Sequence, residues 1–226
     1  MRWHRDPYLD LLTFRAAPRP MFCELFGPLV GLEDEWRAQG ATEEEIALTA
    51  FDWDWVPQAH LHGGGMLDPL EPVIVEETDE DLIQRDGMGR LSRLVKGAAT
   101  ISHPLDFPVK TMDDWLRWKP KYAWREDRVD VDRLREAVRR RDAEGAVTVL
   151  HIPGAFDTPR QLMGEEGICL AYYDEPEMIA DMMATLRDTS LRVLNATAEH
   201  VRIDQLAVHE DLAGKSGSLI GPGQIE

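Results

Sequence analysis

Residues 130–150 read DVDRLREAVRRRDAEGAVTVL, and the fold turns on how they are read. Asp130 can cap the helix that follows, in which Val131, Leu134 and Val138 form an apolar stripe and Gly145 supplies the stop. The run from Ala146 to Leu150 follows at once, and its β-branched residues describe a strand apolar on both faces. A helix feeding directly into such a strand is the unit of a parallel sheet. The unit recurs downstream. Thr158-Pro159 opens a helix, Asp174-x-x-Glu177 caps a long one with Ile179, Met182, Met183, Leu186, Val193 and Leu194 on one face, and a strand from Gln205 to His209 follows. The pattern predicts an α/β chain with a parallel sheet, open or closed into a barrel.

Upstream, MFCELF at 21–26, closed by Gly27-Pro28, reads as a first buried strand with Glu24 inside it. The capping box Thr42-x-x-Glu45 opens a short helix over 43–50, ahead of the aromatic run FDWDW at 51–55. Residues 73–75, 82–84 and 90–95 are rich in β formers. The Asp86-Gly-Met-Gly89 turn between the last two predicts an antiparallel excursion near 73–95. Thr111-x-x-Asp114 opens one or two helical turns that Pro120 should stop.

With 226 residues and 43% hydrophobic content, the chain can bury one sizeable core, and no Pro/Gly/Ser-rich stretch divides it, so residues 1–226 are expected to form one domain. The net charge of -17, from 42 acidic and 25 basic residues, is spread along the chain and repels phosphate backbones and anionic lipid. Nucleic acid and membrane surfaces are therefore poor partners. No window approaches the roughly 18 apolar residues of a membrane span, and MRWHRDPYLD at the start has no apolar export segment, so a cytoplasmic protein is expected. Cys23 and Cys169 lie far apart without metal-type spacing, as reduced thiols do.

Ionisable residues recur at strand ends: Glu24 in the first strand, His151 after the second, and His209-Glu210-Asp211 after the third, with Lys215 shortly beyond. In a β/α barrel such positions share one mouth. Glu210 and Asp211, adjacent on a loop, repel each other, and Lys215 can neutralise one of them or hold an anionic ligand. Glu24 is read as either a mouth residue or a carboxylate bonding neighbouring backbone, and His151 as either ligand-facing or a satisfied core histidine. His60-x-His62 can present two imidazoles on one face of an extended segment, but no Cys or Glu nearby supplies a further metal ligand, which favours a polar loop. Gly63-Gly-Gly65 lacks the Lys-Ser/Thr of a phosphate loop. Arg139, Arg140 and Arg141 suit a solvated helix end.

The segment from Glu210 to Pro222, EDLAGKSGSLIGP, resembles the E-D-x-x-x-K-x-G-x-x-x-S-P signature of the uroporphyrinogen decarboxylase superfamily. Other pieces are similar in order: VEETDE at 75–80 with RDG at 85–87, KGAATIS at 96–102 leading to DFPVK at 106–110, and LMGEEG at 162–167 before YYDEPE at 172–177. The resemblance covers nearly the whole chain. It implies a TIM-type (β/α)8 barrel, here incomplete at the C-terminal end, as an N-terminal fragment would be. It also implies catalytic roles for Glu210, Asp211 and Lys215, with Glu24, His151 and His209 facing the substrate. Decarboxylases of the family hold propionates with an R-Q-A-G-R-Y stretch where Glu24 and its neighbours stand here. They also place a tyrosine where Gln161-Leu162 stands, and a serine where Asp211 stands. Those departures favour the methyltransferase-like branch, which acts on corrinoid-linked or small methylated substrates. That branch implies a zinc ion held by a C-terminal H-x-C and a distant Cys, with a corrinoid protein as partner. None of these zinc ligands is expected within this chain. Uroporphyrinogen decarboxylation in porphyrin biosynthesis is the second reading, and a non-catalytic small-molecule-binding barrel the third.

Overall fold

A computed structural model describes residues 1–24 and 26–224. Helix α1 (Arg5–Leu12) leads through a long loop to α2 (Leu32–Ala38) and the single turn α3 (Glu43–Ile46). Strand β1 (Gln58–Leu61) precedes β2 (Val73–Glu77), β3 (Asp81–Arg85), β4 (Leu91–Val95), β5 (His103–Asp106) and helix α4 (Met112–Tyr122). Then come α5 (Val131–Glu144), β6 (Val147–Ile152), α6 (Asp157–Met163), α7 (Glu165–Asp174), α8 (Pro176–Ala198) and β7 (Gln205–Val208). A small hairpin of β8 (Ala213–Gly214) and β9 (Gly217–Ser218) follows.

The α5–β6 unit forms as its residues dictate. Asp130 Oδ1 accepts the N–H groups of Asp132 and Arg133 at 3.0 and 3.1 Å, and Gly145 ends the helix in the left-handed region at φ 67°. Val147, Thr148, Val149 and Leu150 are at most 1% exposed. β6 is the central strand of a parallel sheet of order β1-β6-β7, with Leu61 paired to Leu150 and Leu150 to Leu206.

This architecture overturns the (β/α)8 barrel. Among the described residues the parallel sheet has three strands, and a separate four-stranded antiparallel sheet of order β2-β3-β4-β5 occupies 73–106. The helix-then-strand unit occurs at α5–β6 and at α8–β7, without the repeated alternation that closes a barrel. Burial of a strand on both faces marks a central position, which a three-stranded sheet has as surely as a barrel, so the composition of 146–150 does not discriminate between them.

Several local expectations also shift. The described part of 20–26 is loop, held by the buried Asp54, which accepts the Phe22 N–H at 2.8 Å, while Phe22 stacks on Trp53 at 4.5 Å between ring centroids. Residue 25 of that run lies outside the described residues. α3 ends at Ile46, four residues short of the expected 43–50, and Leu48 takes a positive φ of 60°. Pro120 sits inside α4, near its end, where it forfeits a single N–H bond, and the helix continues to the buried Tyr122.

Two apolar clusters share one long helix. Met178, Ile179, Met182 and Leu186 of α8 pack with Trp115, Phe156, Leu162 and Ile168, while Val193 packs with Ala59, Leu61, Leu134 and Leu150. Each fully buried large side chain contributes about 1.5 to 3 kcal/mol, so α8 stabilises both layers at once. At the N-terminal end of the sheet, the side chain of Asp204 is buried and accepts Arg5 Nε at 2.7 Å, with the Thr148 N–H and hydroxyl at 3.1 and 3.0 Å. That contact ties α1 to β6 and β7. At the far side of the antiparallel sheet, β2 is exposed at all five positions.

Candidate functional site at the ends of β6 and β7

β6 and β7 are parallel neighbours, so the loops leaving their C-terminal ends run side by side. The two backbones meet at Gly154, where a Cβ would stand 2.3 Å from the His209 carbonyl oxygen and 2.6 Å from Glu210 Cδ. Only glycine fits there. Across this close approach the Glu210 carboxylate accepts the N–H of Asp157 at 2.8 Å and that of Phe156 at 3.2 Å, satisfying backbone donors at the start of α6.

His209 and Asp211 flank that tie and face α6. Asp157 Oδ1 accepts Arg160 Nε at 3.1 Å, and Arg160 also donates to Asp211 Oδ2 at 2.8 Å and to Glu165 Oε1 at 3.3 Å. The second oxygens of both aspartates turn to His209: Nδ1 lies 3.4 Å from Asp157 Oδ2, and Nε2 lies 3.8 Å from Asp211 Oδ1. Burial works against the Arg160 charge, but Asp157, then Asp211 and Glu165, outweigh it and raise the guanidinium pKa further. Burial, followed by the Glu210 charge, pushes up the pKa of Tyr172, so this phenol stays protonated.

Chemically, the cluster is an ionic frame with an open side. One oxygen from each aspartate and one His209 nitrogen lie within 4.8 Å of one another. The guanidinium already supplies the positive charge between the carboxylates, so the arrangement suits proton handling by the exposed His209 and Asp211 better than capture of a cation. Cys169 donates to the Leu219 carbonyl at 3.4 Å and burial raises its pKa, Cys23 is exposed, and neither belongs to a metal-ligating cluster among the described residues.

His209, Glu210 and Asp211 are thus brought together, whereas the other expected site residues lie elsewhere. His151 lies within β6, not after it, and its Nε2 is 3.2 Å from Nδ1 of His60 on β1. Burial first, then the neighbouring His151, His62 and Arg140, lower the His60 pKa. Lys215 stands exposed at the tip of the β8–β9 hairpin and makes no ion pair among the described residues. Glu24 is in the N-terminal loop, off the sheet, where its Oε1 accepts the N–H groups of Phe26 and Gly27 at 2.8 and 3.1 Å. It lines a different cleft of about 580 Å³, with Trp36, Phe51 and Trp53. Asp157 and Arg160 escape sequence reading. The proline at 159 signals the start of α6, but nothing local signals that this turn faces the loop after β7.

No helix among the described residues is long and apolar enough to cross a membrane. Compared with family models, curated proteins and solved structures, the chain matches none of them.

Proposed function

We propose that the chain belongs to an enzyme of the uroporphyrinogen decarboxylase superfamily, of its methyltransferase-like branch, acting on a small methylated substrate with a corrinoid protein as methyl acceptor. One observation carries this reading: sequence pieces that resemble the family, though far apart in the chain, touch one another. Arg90, just past RDG at 85–87, bonds Gln161 beside LMGEEG. The Val109 N–H of DFPVK donates to the Leu162 carbonyl at 3.1 Å, and Phe107 packs so close to Gly164 that a Cβ there would clash at 2.6 Å. Arg160, two residues before that element, holds Asp211, and Cys169 reaches Leu219. The reading rests on these contacts and not on a closed barrel.

In this reading the methyl group leaves its heteroatom without the bonding electron pair and passes to the acceptor, while the heteroatom takes a proton from an acid at the mouth. Asp211 and His209 are the groups exposed to do this. Glu210, with its oxygens on the α6 backbone, is a positioning residue, as is Arg160. A polycarboxylated porphyrinogen is disfavoured because Asp157, Asp211 and Glu165 line the same rim and already occupy Arg160. A cytoplasmic site of action goes with free cysteines.

The test supplies free reduced cobalamin as acceptor with a panel of methyl ethers, methylamines and methanol, followed by the visible spectrum. Turnover with at least one donor is expected, falling about 100-fold in Asp211→Asn and His209→Gln. Efficient decarboxylation of uroporphyrinogen, seen by product profiling, would overturn the reading.

A further inference from the structure

We propose that His60, His62 and His151 form a binding site for a late first-row divalent transition ion such as zinc. This site lies apart from the Asp157–His209–Asp211 cluster and stands independently of the methyl-transfer reading.

Along β1 the buried Ala59 and Leu61 alternate with the exposed His60, and His62, also exposed, is the first residue beyond the strand. Parallel pairing sets His60 beside Val149 and ends with Leu61 beside Leu150, so His151 lies two positions along β6 from the partner of His60. Neighbouring strands are about 4.8 Å apart, which puts His60 and His151 within reach of each other, and His62 lines the same clefts as His60. The sequence around His60-x-His62 offers no further ligand, and the β1–β6 pairing supplies one from 91 residues away.

The spacing fits a shared ion. Two nitrogens each about 2.0 to 2.1 Å from a tetrahedral zinc stand about 3.3 to 3.4 Å apart. His60 Nδ1 and His151 Nε2 are 3.2 Å apart, with ring centroids at 5.3 Å. That pair is already at ligand spacing, whereas the nitrogens of His62 lie further off, and the exposed His62 side chain would turn toward the pair to complete the set. None of the three rings is in an ion pair among the described residues, so no carboxylate competes for them, in contrast to the acid cluster, where Arg160 occupies the carboxylates. Nearby, Gly64 lets the chain leaving β1 pass over the end of β6, since a Cβ there would stand 2.3 Å from the His151 carbonyl oxygen. Three histidines leave a fourth position open to solvent or a small ligand, the pattern of zinc sites that do chemistry.

The test treats the purified chain with chelator, dialyses it, and titrates it with Co2+ and then Zn2+ alone. One equivalent of Co2+ is expected to bind with the intense visible absorption of a four-coordinate ion and to be displaced by Zn2+. His60→Ala and His151→Ala should each abolish the band, His62→Ala should lower its intensity, and His209→Ala should leave it intact. The proposal is overturned if Co2+ uptake does not saturate, if binding survives both His60→Ala and His151→Ala, or if it disappears with His209→Ala. Circular dichroism checks that each variant folds. His60→Gln with His151→Gln, which keeps polar side chains on the sheet face, gives the same readout where an alanine variant fails to fold.

Discussion

Asp204 shows how much a single buried carboxylate depends on what faces it. Burial alone would raise its pKa, but Arg5 and then the Thr148 backbone and hydroxyl outweigh burial and hold it below the usual carboxylate range. A depressed pKa means that the folded chain binds this proton less readily than the unfolded one. The stabilisation is therefore complete above about pH 4 and is lost as pH falls through the folded value. In urea unfolding followed from neutral to acid pH, Asp204→Asn should lower the midpoint near neutrality and flatten its decline in acid. Unchanged acid sensitivity would show that other carboxylates carry it. Ionisable residues of this kind are visible in sequence as types, but their partners are not. His209, Glu210 and Asp211 could be picked out because they follow an apolar run, whereas Asp157 and Arg160 join them only through the β6–β7 pairing. Glu24 misleads for the opposite reason: its apolar neighbours look like a strand, yet Phe22 stacks on Trp53 and Phe26 remains exposed.

Among elements, the loop after β1 shows what the triple glycine is for. Arg128 is 3% exposed and donates to the carbonyls of Gly63 and Gly65 at 2.8 and 2.7 Å, and to those of Ala123 and Lys121 at 2.8 and 2.7 Å. A planar five-donor guanidinium satisfies two carbonyls that the loop turns inward and two at the end of α4. Arg128→Met should cost about 3 kcal/mol or more, because several buried acceptors lose their donor, and Arg128→Lys should recover only part of it. Chemical denaturation measures both, and a loss under about 1 kcal/mol for Arg128→Met would mean that solvent reaches those carbonyls. Element by element, the long amphipathic helices and the hairpin turn at 86–89 were legible because their signals are local. β1, only four residues long, and β5, which contains Pro104, were not, since their pairing comes from tertiary contacts.

For the whole molecule, closure of a barrel is a global property that local alternation leaves open: two helix-then-strand units fit an open sheet as well as a closed one, and the family resemblance, not the pattern, implied eight. What the fold does instead is hang two layers on α8, a rod of 23 residues and so about 35 Å long. Because one helix completes both apolar clusters, their unfolding should be coupled, with β6 amides exchanging most slowly and the exposed β2 amides fastest. Hydrogen exchange that gives the two clusters widely separated opening energies would refute that coupling. β2 has one more consequence. Val73, Ile74 and Val75 lie exposed on the outermost strand of the antiparallel sheet, with Glu76 and Glu77 directly after them. An unpaired strand edge of this composition is a template for another copy of itself. The surplus of 17 negative charges acts colloidally here, as a repulsion that opposes such edges seeding one another into fibrils.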